Sequence, residues 1–257
     1  MPWTFAHPAA VLPFRKVGQF RLPLAALVVG SMTPDLGYYV AQFRLATFAH
    51  STLGVLLVCL PAGALVLALF SVIRPALIQL LPHPHRYAVV GALRARPRTK
   101  RPQDLALAAI GLVVGAATHT TWDSFTHATG FAVQLMPILQ ARLFEIGSRQ
   151  MHVYNLIQHA STLIGLGALV ATYCRWLRSQ PPIPAATNHR QERLRYVVLM
   201  GCFACACAVG VLAAGASADS RPDDGGLDVF RMAIFATNAF AVLLVVSAMA
   251  LRKYGDA

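Results

Sequence analysis

Residues 51–73 read STLGVLLVCLPAGALVLALFSVI, a run without a single charge. A helix rises about 1.5 Å per residue, so about 20 apolar residues cross a hydrocarbon core of about 30 Å. This stretch is long enough to span, and membrane helices tolerate a proline such as Pro61. It predicts a transmembrane helix, and the rest of the chain is read outward from it.

Five further windows have similar character: 22–41, 105–122, 154–173, 195–216 and 229–251. The fold class expected is therefore all-α, a polytopic membrane helix bundle of about six transmembrane helices in one integral-membrane domain. The first window is unusual. Its LPLAALVVG runs into SMTPDLGYYVA and places Thr33-Pro34-Asp35 inside the apolar stretch, which predicts a broken or re-entrant segment. Composition agrees with a lipid solvent. Of 257 residues, 56% are hydrophobic and 12% charged, about half the charged fraction of a soluble domain. The mean hydropathy is +0.56. Disorder, a coiled coil and a secreted disulfide scaffold are excluded, since there are no low-complexity tracts, no sustained heptads and only five cysteines.

The chain carries 22 Lys+Arg against 10 Asp+Glu, a net charge of +12. Alternating the six windows puts residues 1–21, 74–104, 174–194 and 252–257 on one side. With Arg195 at its helix edge, that side holds seventeen basic residues, and the other holds five. The positive-inside rule then places both termini in the cytoplasm, with 74–104 as a basic cytoplasmic loop lying on anionic headgroups. Membrane lipids are thus the expected partner, and no nucleic acid is needed to account for the charge. The acidic loop Asp219–Asp228 falls outside. The first 21 residues are too short for a signal peptide, with the apolar stretch ahead of the charges; they read as an uncleaved interfacial or re-entrant segment.

Chemistry concentrates in His119-Thr-Thr-Trp-Asp123-Ser-Phe-Thr-His127. Four residues turn a helix by about 400°, so the three side chains drift only about 40° per step and share one face. Two imidazoles and a carboxylate suit zinc first, with manganese or iron next, better than calcium or magnesium. Other ionisable groups lie at a similar depth. His50 opens the second window at its outer end, Asp35 sits near the outer end of the first, and His159 lies about two turns into the fourth. Charged groups in a membrane normally pair or ligate something. Each also has a structural reading: His50 as a helix-end residue, Asp35 as the cap of a second half-helix, His159 as a donor across a helix pair. His7 falls on the opposite side from this group unless the N-terminal segment re-enters. His83, His85 and His189 read as surface residues among arginines, and His152 as a loop residue.

The blocks PWTFAHPAAVLPFR, GSMTPDLGYY, FAHSTLGVLL, GAATHTTWDSFTH and VYNLIQHASTLIGL resemble, in order, a family of bacterial integral-membrane proteins known as domain of unknown function 4184. The resemblance covers most of the chain to about residue 175 and implies a bacterial cytoplasmic membrane. More loosely, the order His, Pro-Asp, His-Ser, His-x-x-x-Asp is similar to the membrane-bound metal-dependent hydrolase family, itself likened to zinc-dependent phospholipases C. That similarity implies metal positions at His7, Asp35, His50, His119 and Asp123, with His127 and His159 as additions. It also implies a lipid or phosphoester substrate and catalytic roles for Asp35 and Asp123, Asp35 acting as ligand or as base. The chain departs from it in having no glutamate near the cluster; Glu145 is the only one in an outer loop. The competing class is non-enzymatic: a metal-ion or proton-linked transporter, or a scaffold whose polar cluster locks helices together.

Overall fold

The computed structural model describes residues 3–17, 20–94, 102–146, 149–183, 188–218 and 229–255. Among them, five helices are long and apolar enough to cross a membrane: Thr52–Leu80, Pro102–Leu135, Val153–Arg178, His189–Ala216 and Val229–Leu251. The chain is an all-α, multi-pass membrane protein.

The remaining window, 22–41, is broken where Thr33-Pro34 predicts. Helix α1 (Leu24–Gly30) is followed by a 3-10 turn at Thr33–Asp35 and the single turn α2 (Leu36–Tyr39). At about 1.5 Å per residue, α1 reaches only about 10 Å. The cause is local. Ser31 and Thr33 donate their hydroxyls to the carbonyls of Val28 and Gly30 at 2.9 and 2.7 Å, competing with the next helical bonds. Pro34 has no N–H with which to continue the ladder. Helix α3 (Phe43–Ala49) then leads to Ser51, whose side chain accepts from the Gly54 amide and caps α4 (Thr52–Gly54). A π turn at Val55–Cys59 joins α4 to α5 (Leu60–Leu80), just ahead of Pro61, where proline displaces a carbonyl in the preceding turn. After α5 comes α6 (His85–Arg94).

The chain divides into two units. The first, residues 1–68 and 99–176, contains α7 (Pro102–Thr126), α8 (Phe131–Leu135), the strands β3 (Arg142–Ile146) and β4 (Arg149–His152), and α9 (Val153–Arg178). The strands β1 (Lys16–Val17) and β2 (Phe20–Arg21) form a small hairpin in the N-terminal segment. Helix α1 lies parallel to α7, with Ala26 against Gly111 and Leu27 to Ser31 against Gly115. A Cβ on Gly115 would overlap the Leu27 carbonyl and the Ser31 amide, and one on Gly30 would overlap the Leu112 carbonyl. Only glycines allow this backbone approach.

The N-terminal segment runs down α7 and comes back. Its 3-10 turn Thr4–Ala9 carries His7 to the level of His119, whereas Val11 and Leu22 are buried with Leu27 against Leu107 and Val114. The hairpin bearing Lys16 and Arg21 closes this descent, and α1 returns from it. The segment therefore folds back on itself. Residues 1–21 do not all lie at the end of α7 away from the cluster, as the charge count alone implies.

The second unit, residues 69–98 and 177–257, packs α10 (His189–Ala218) and α11 (Val229–Gly255) with the end of α5 around Ala76, Leu80 and Ala248. Of the basic stretch 74–104, residues 74–94 and 102–104 are among the described residues. Helix α5 continues through it to Leu80, and α6 occupies more of it. Glu192 accepts from Arg86 at 3.2 Å, from Arg195 at 2.7 Å and from the His83 amide at 2.8 Å, which pins this stretch to α10. The acidic loop Asp219–Asp228 lies outside the described residues.

Candidate metal centre

The site grows from one edge of α7. Every fourth residue along that edge is Gly111, Gly115, His119, Asp123 and then His127, whose amide bonds the Asp123 carbonyl at 3.1 Å and extends the turn. The glycines seat α1, and the same edge, continued, supplies the ligand side chains. Because α1 is docked in parallel, its C-terminal end brings Ser31, Thr33 and Asp35 to the level of His119. The end of α3 brings His50.

One ligand atom from each of Asp35, His50, His119 and Asp123 lies within 4.8 Å of all the others. His119 Nε2 is 3.2 Å from Asp123 Oδ2 and 3.5 Å from Asp35 Oδ1; His50 Nε2 is 3.4 and 3.5 Å from the same two oxygens. Ligands about 2.0–2.1 Å from a tetrahedral ion stand about 3.3 Å apart, so these separations fit a four-coordinate divalent cation. His7 stacks on His119 with centroids 3.7 Å apart, its Nε2 3.5 Å from Asp123 Oδ1. His127 Nδ1 lies 3.6 Å from the same oxygen.

Outer partners aim the ligands inward. His119 Nδ1 donates to the Ser31 carbonyl at 2.7 Å and His50 Nδ1 to the Ala46 carbonyl at 2.8 Å, an assignment that leaves both Nε2 lone pairs facing the centre. Thr4 donates to Asp35 Oδ2 at 2.6 Å and accepts from the Tyr39 hydroxyl at 3.1 Å, which leaves Oδ1 of Asp35 for the cluster. Seven buried side-chain N and O atoms among the described residues have no hydrogen-bond partner, and six of them belong to His7, Asp35, His119 and Asp123. Buried polar groups are rarely left so, and a cation held by the four grouped ligand atoms would satisfy Asp35 Oδ1, His119 Nε2 and Asp123 Oδ2.

Electrostatics point the same way. Burial works against a charged His50, but Asp123, Asp35 and the Ala46 carbonyl outweigh it and hold its pKa at about 9. The carboxylates that hold this proton equally favour a metal cation, which would displace it from Nε2. Burial, reinforced by His119, pushes His7 down to about 3, so His7 presents a neutral imidazole, the form that ligates metal.

Six of the seven residues marked in the sequence converge: His7, Asp35, His50, His119, Asp123 and His127. His159 does not. It is exposed on α9, about 200° round the helix from Ile157, which faces the N-terminal segment along with Ser161 and Gly165. Its depth is right and its azimuth is wrong. Thr4, Tyr39 and the Ser31 carbonyl are site components that spacing does not reveal, because each acts across sequence separations of 31 to 88 residues.

No curated protein and no solved structure matches the chain. The model of the family described as a domain of unknown function (DUF4184) matches residues 1–249. That span takes in every residue of the centre, and the chain belongs to this family.

Proposed function

We propose that the cluster binds a divalent metal, zinc first and manganese or iron next, and that the protein is a metal-dependent hydrolase acting on a lipid or other amphiphilic phosphoester. The observation that carries this reading is the set of four inward-aimed ligand atoms, within 4.8 Å of one another and with the imidazoles 3.2–3.5 Å from the carboxylates. A bound cation of this kind lowers the pKa of its water and polarises a phosphoryl oxygen. The chain's own residues supply position and access. Asp35, fixed by Thr4, acts as a ligand rather than a free base, since its Oδ1 is equally close to His50 and His119. His50 is the accessible member, with 22% of its side chain exposed against 8% or less for Asp35, His119 and Asp123. It borders a cavity of about 500 Å³ lined also by Thr120, Thr121, Ser124, Phe125, Phe131 and Met136. Such a mixed lining suits a substrate with a polar head and an apolar body.

The test is metal content by mass spectrometry on protein purified without a His-tag. Wild type is expected to hold stoichiometric metal, and His119→Ala and Asp123→Ala to lose it. Less than ~0.2 metal per chain in wild type removes the reading, because these deprotonated side chains are the ligands. One observation favours transport instead: a broken segment beside the ionisable cluster is also how transporters build ion sites. A proteoliposome flux of Zn²⁺ or Mn²⁺ abolished by Asp35→Asn would put that function first.

In this reading the membrane is a bacterial cytoplasmic membrane, and the centre lies toward its outer face. The basic stretches 74–104 and 174–194 and the C-terminus remain cytoplasmic. With the 22–41 segment too short to cross, the N-terminus belongs on the outer side. In a cysteine-free background, Trp3→Cys should react with an impermeant maleimide on intact cells, and Arg94→Cys only after permeabilisation. The reverse pattern would overturn this orientation.

A further inference from the structure

The metal reading just given uses Asp35, His50, His119 and one oxygen of Asp123. A second set of groups stands on the other side of the same carboxylate. Asp123 Oδ1 is buried without a hydrogen-bond partner and faces His7 Nε2 at 3.5 Å and His127 Nδ1 at 3.6 Å. His7 is 3% exposed, and neither of its ring nitrogens has a hydrogen bond. A closed imidazole with both nitrogens unsatisfied calls for an explanation. Stacking on His119 accounts for where the ring lies but leaves its nitrogens without partners.

We propose that the centre is dinuclear: Asp123 bridges two divalent cations, Oδ2 on an ion held with Asp35, His50 and His119, and Oδ1 on a second ion held with His7 and His127. The inference rests on the metal-site reading and deepens it. The 3.5 and 3.6 Å separations about Oδ1 are slightly longer than the 3.2 and 3.4 Å about Oδ2, and both sets lie near the edge of about 3.3 Å that metal–ligand bonds of about 2.0–2.1 Å impose. His127 Nδ1 also lies 3.1 Å from the Asp123 carbonyl and 3.2 Å from the Thr126 hydroxyl. As a ligand it gives up those interactions and carries its proton on Nε2; the ring is 28% exposed. The two positions differ in kind. The first has four protein ligands, of which His50 borders the cavity of about 500 Å³. The second has three and keeps a coordination position for water or a substrate oxygen, as catalytic ions do. Carboxylate-bridged pairs of ions about 3.5–4 Å apart clamp both the attacking and the leaving oxygen of a phosphoester.

The test counts ions. The full untagged chain is equilibrated with Zn²⁺, freed of excess, and its zinc per chain measured by mass spectrometry. Two ions are expected in wild type, one in His7→Ala and one in His127→Ala. A parallel sample loaded with Mn²⁺ should give the exchange-coupled electron paramagnetic resonance of a pair. One ion in wild type overturns the dinuclear centre and leaves the single-metal reading standing. No ion overturns both. Two ions retained in folded His7→Ala also overturn the assignment. Should that variant fail to fold, the wild-type Mn²⁺ spectrum decides: isolated-ion hyperfine lines alone reject the pair.

Discussion

Zinc at a thousandfold excess over its Kd is expected to raise the midpoint of thermal unfolding by about 10 °C in detergent. A ligand bound only by the native state contributes about 4 kcal/mol at that excess. For a chain of this size each kcal/mol moves the midpoint by about 2–4 °C. The structural reason for so large an effect is the set of buried, unpartnered atoms Asp35 Oδ1, His119 Nε2 and Asp123 Oδ2, which a cation in the four-residue group would satisfy. Asp123→Asn should cancel the rise, since Asp123 faces His7, His50, His119 and His127 at 3.2–3.6 Å and an amide cannot neutralise a cation from that position. His159→Ala, on the far side of α9, should keep the full rise. Differential scanning measurements with and without zinc decide it. A shift below ~2 °C in wild type, or an undiminished shift in Asp123→Asn, would contradict the metal centre.

Gly115→Ala should be among the most damaging single methyl groups in the first unit. Its Cβ would fall on the Leu27 carbonyl and the Ser31 amide, both backbone, so no side chain can swing aside. Overpacking of this kind costs about 3 kcal/mol and should lower the midpoint by about 6–12 °C. Zinc binding should fall with it, because shifting α1 moves the Ser31 carbonyl that holds His119 Nδ1 at 2.7 Å. Gly167→Ala is the control. Nothing lies within 4 Å of its added Cβ, and a helical alanine in place of glycine is expected to be neutral or stabilising by up to about 1 kcal/mol. Equal losses in the two variants would mean that α1 and α7 are not held by close backbone approach.

The ligand edge of α7 was legible because helical periodicity is local. Spacing alone puts His119, Asp123 and His127 on one face, and the structure keeps them there. Asp35 and His50 were legible by depth, since the hydrophobic windows fix how far along a span a residue sits. His159 shows the limit of that argument, because depth says nothing of rotation about the axis. His7 was reached through resemblance and not through the charge count. Counting basic residues assigns a whole segment to one side, and the bases of 1–21 are Arg15, Lys16 and Arg21, all in or beside the hairpin. The 3-10 turn that carries His7 precedes them and lies at the other end of the descent. A charge rule cannot see a chain folding back on itself within one segment.

The parallel seating of α1 on α7 also sets an order of events during synthesis. Ser31 and His119 are 88 residues apart. At about 5–20 residues per second, the ribosome makes His119 about 4–18 s after Ser31. Throughout that interval the nascent chain carries Asp35 and His7 in an apolar stretch with no imidazole or carboxylate from α7 to meet them. The amino-terminal segment must therefore be parked, by lipid headgroups or by the insertion machinery, until α7 arrives to receive it.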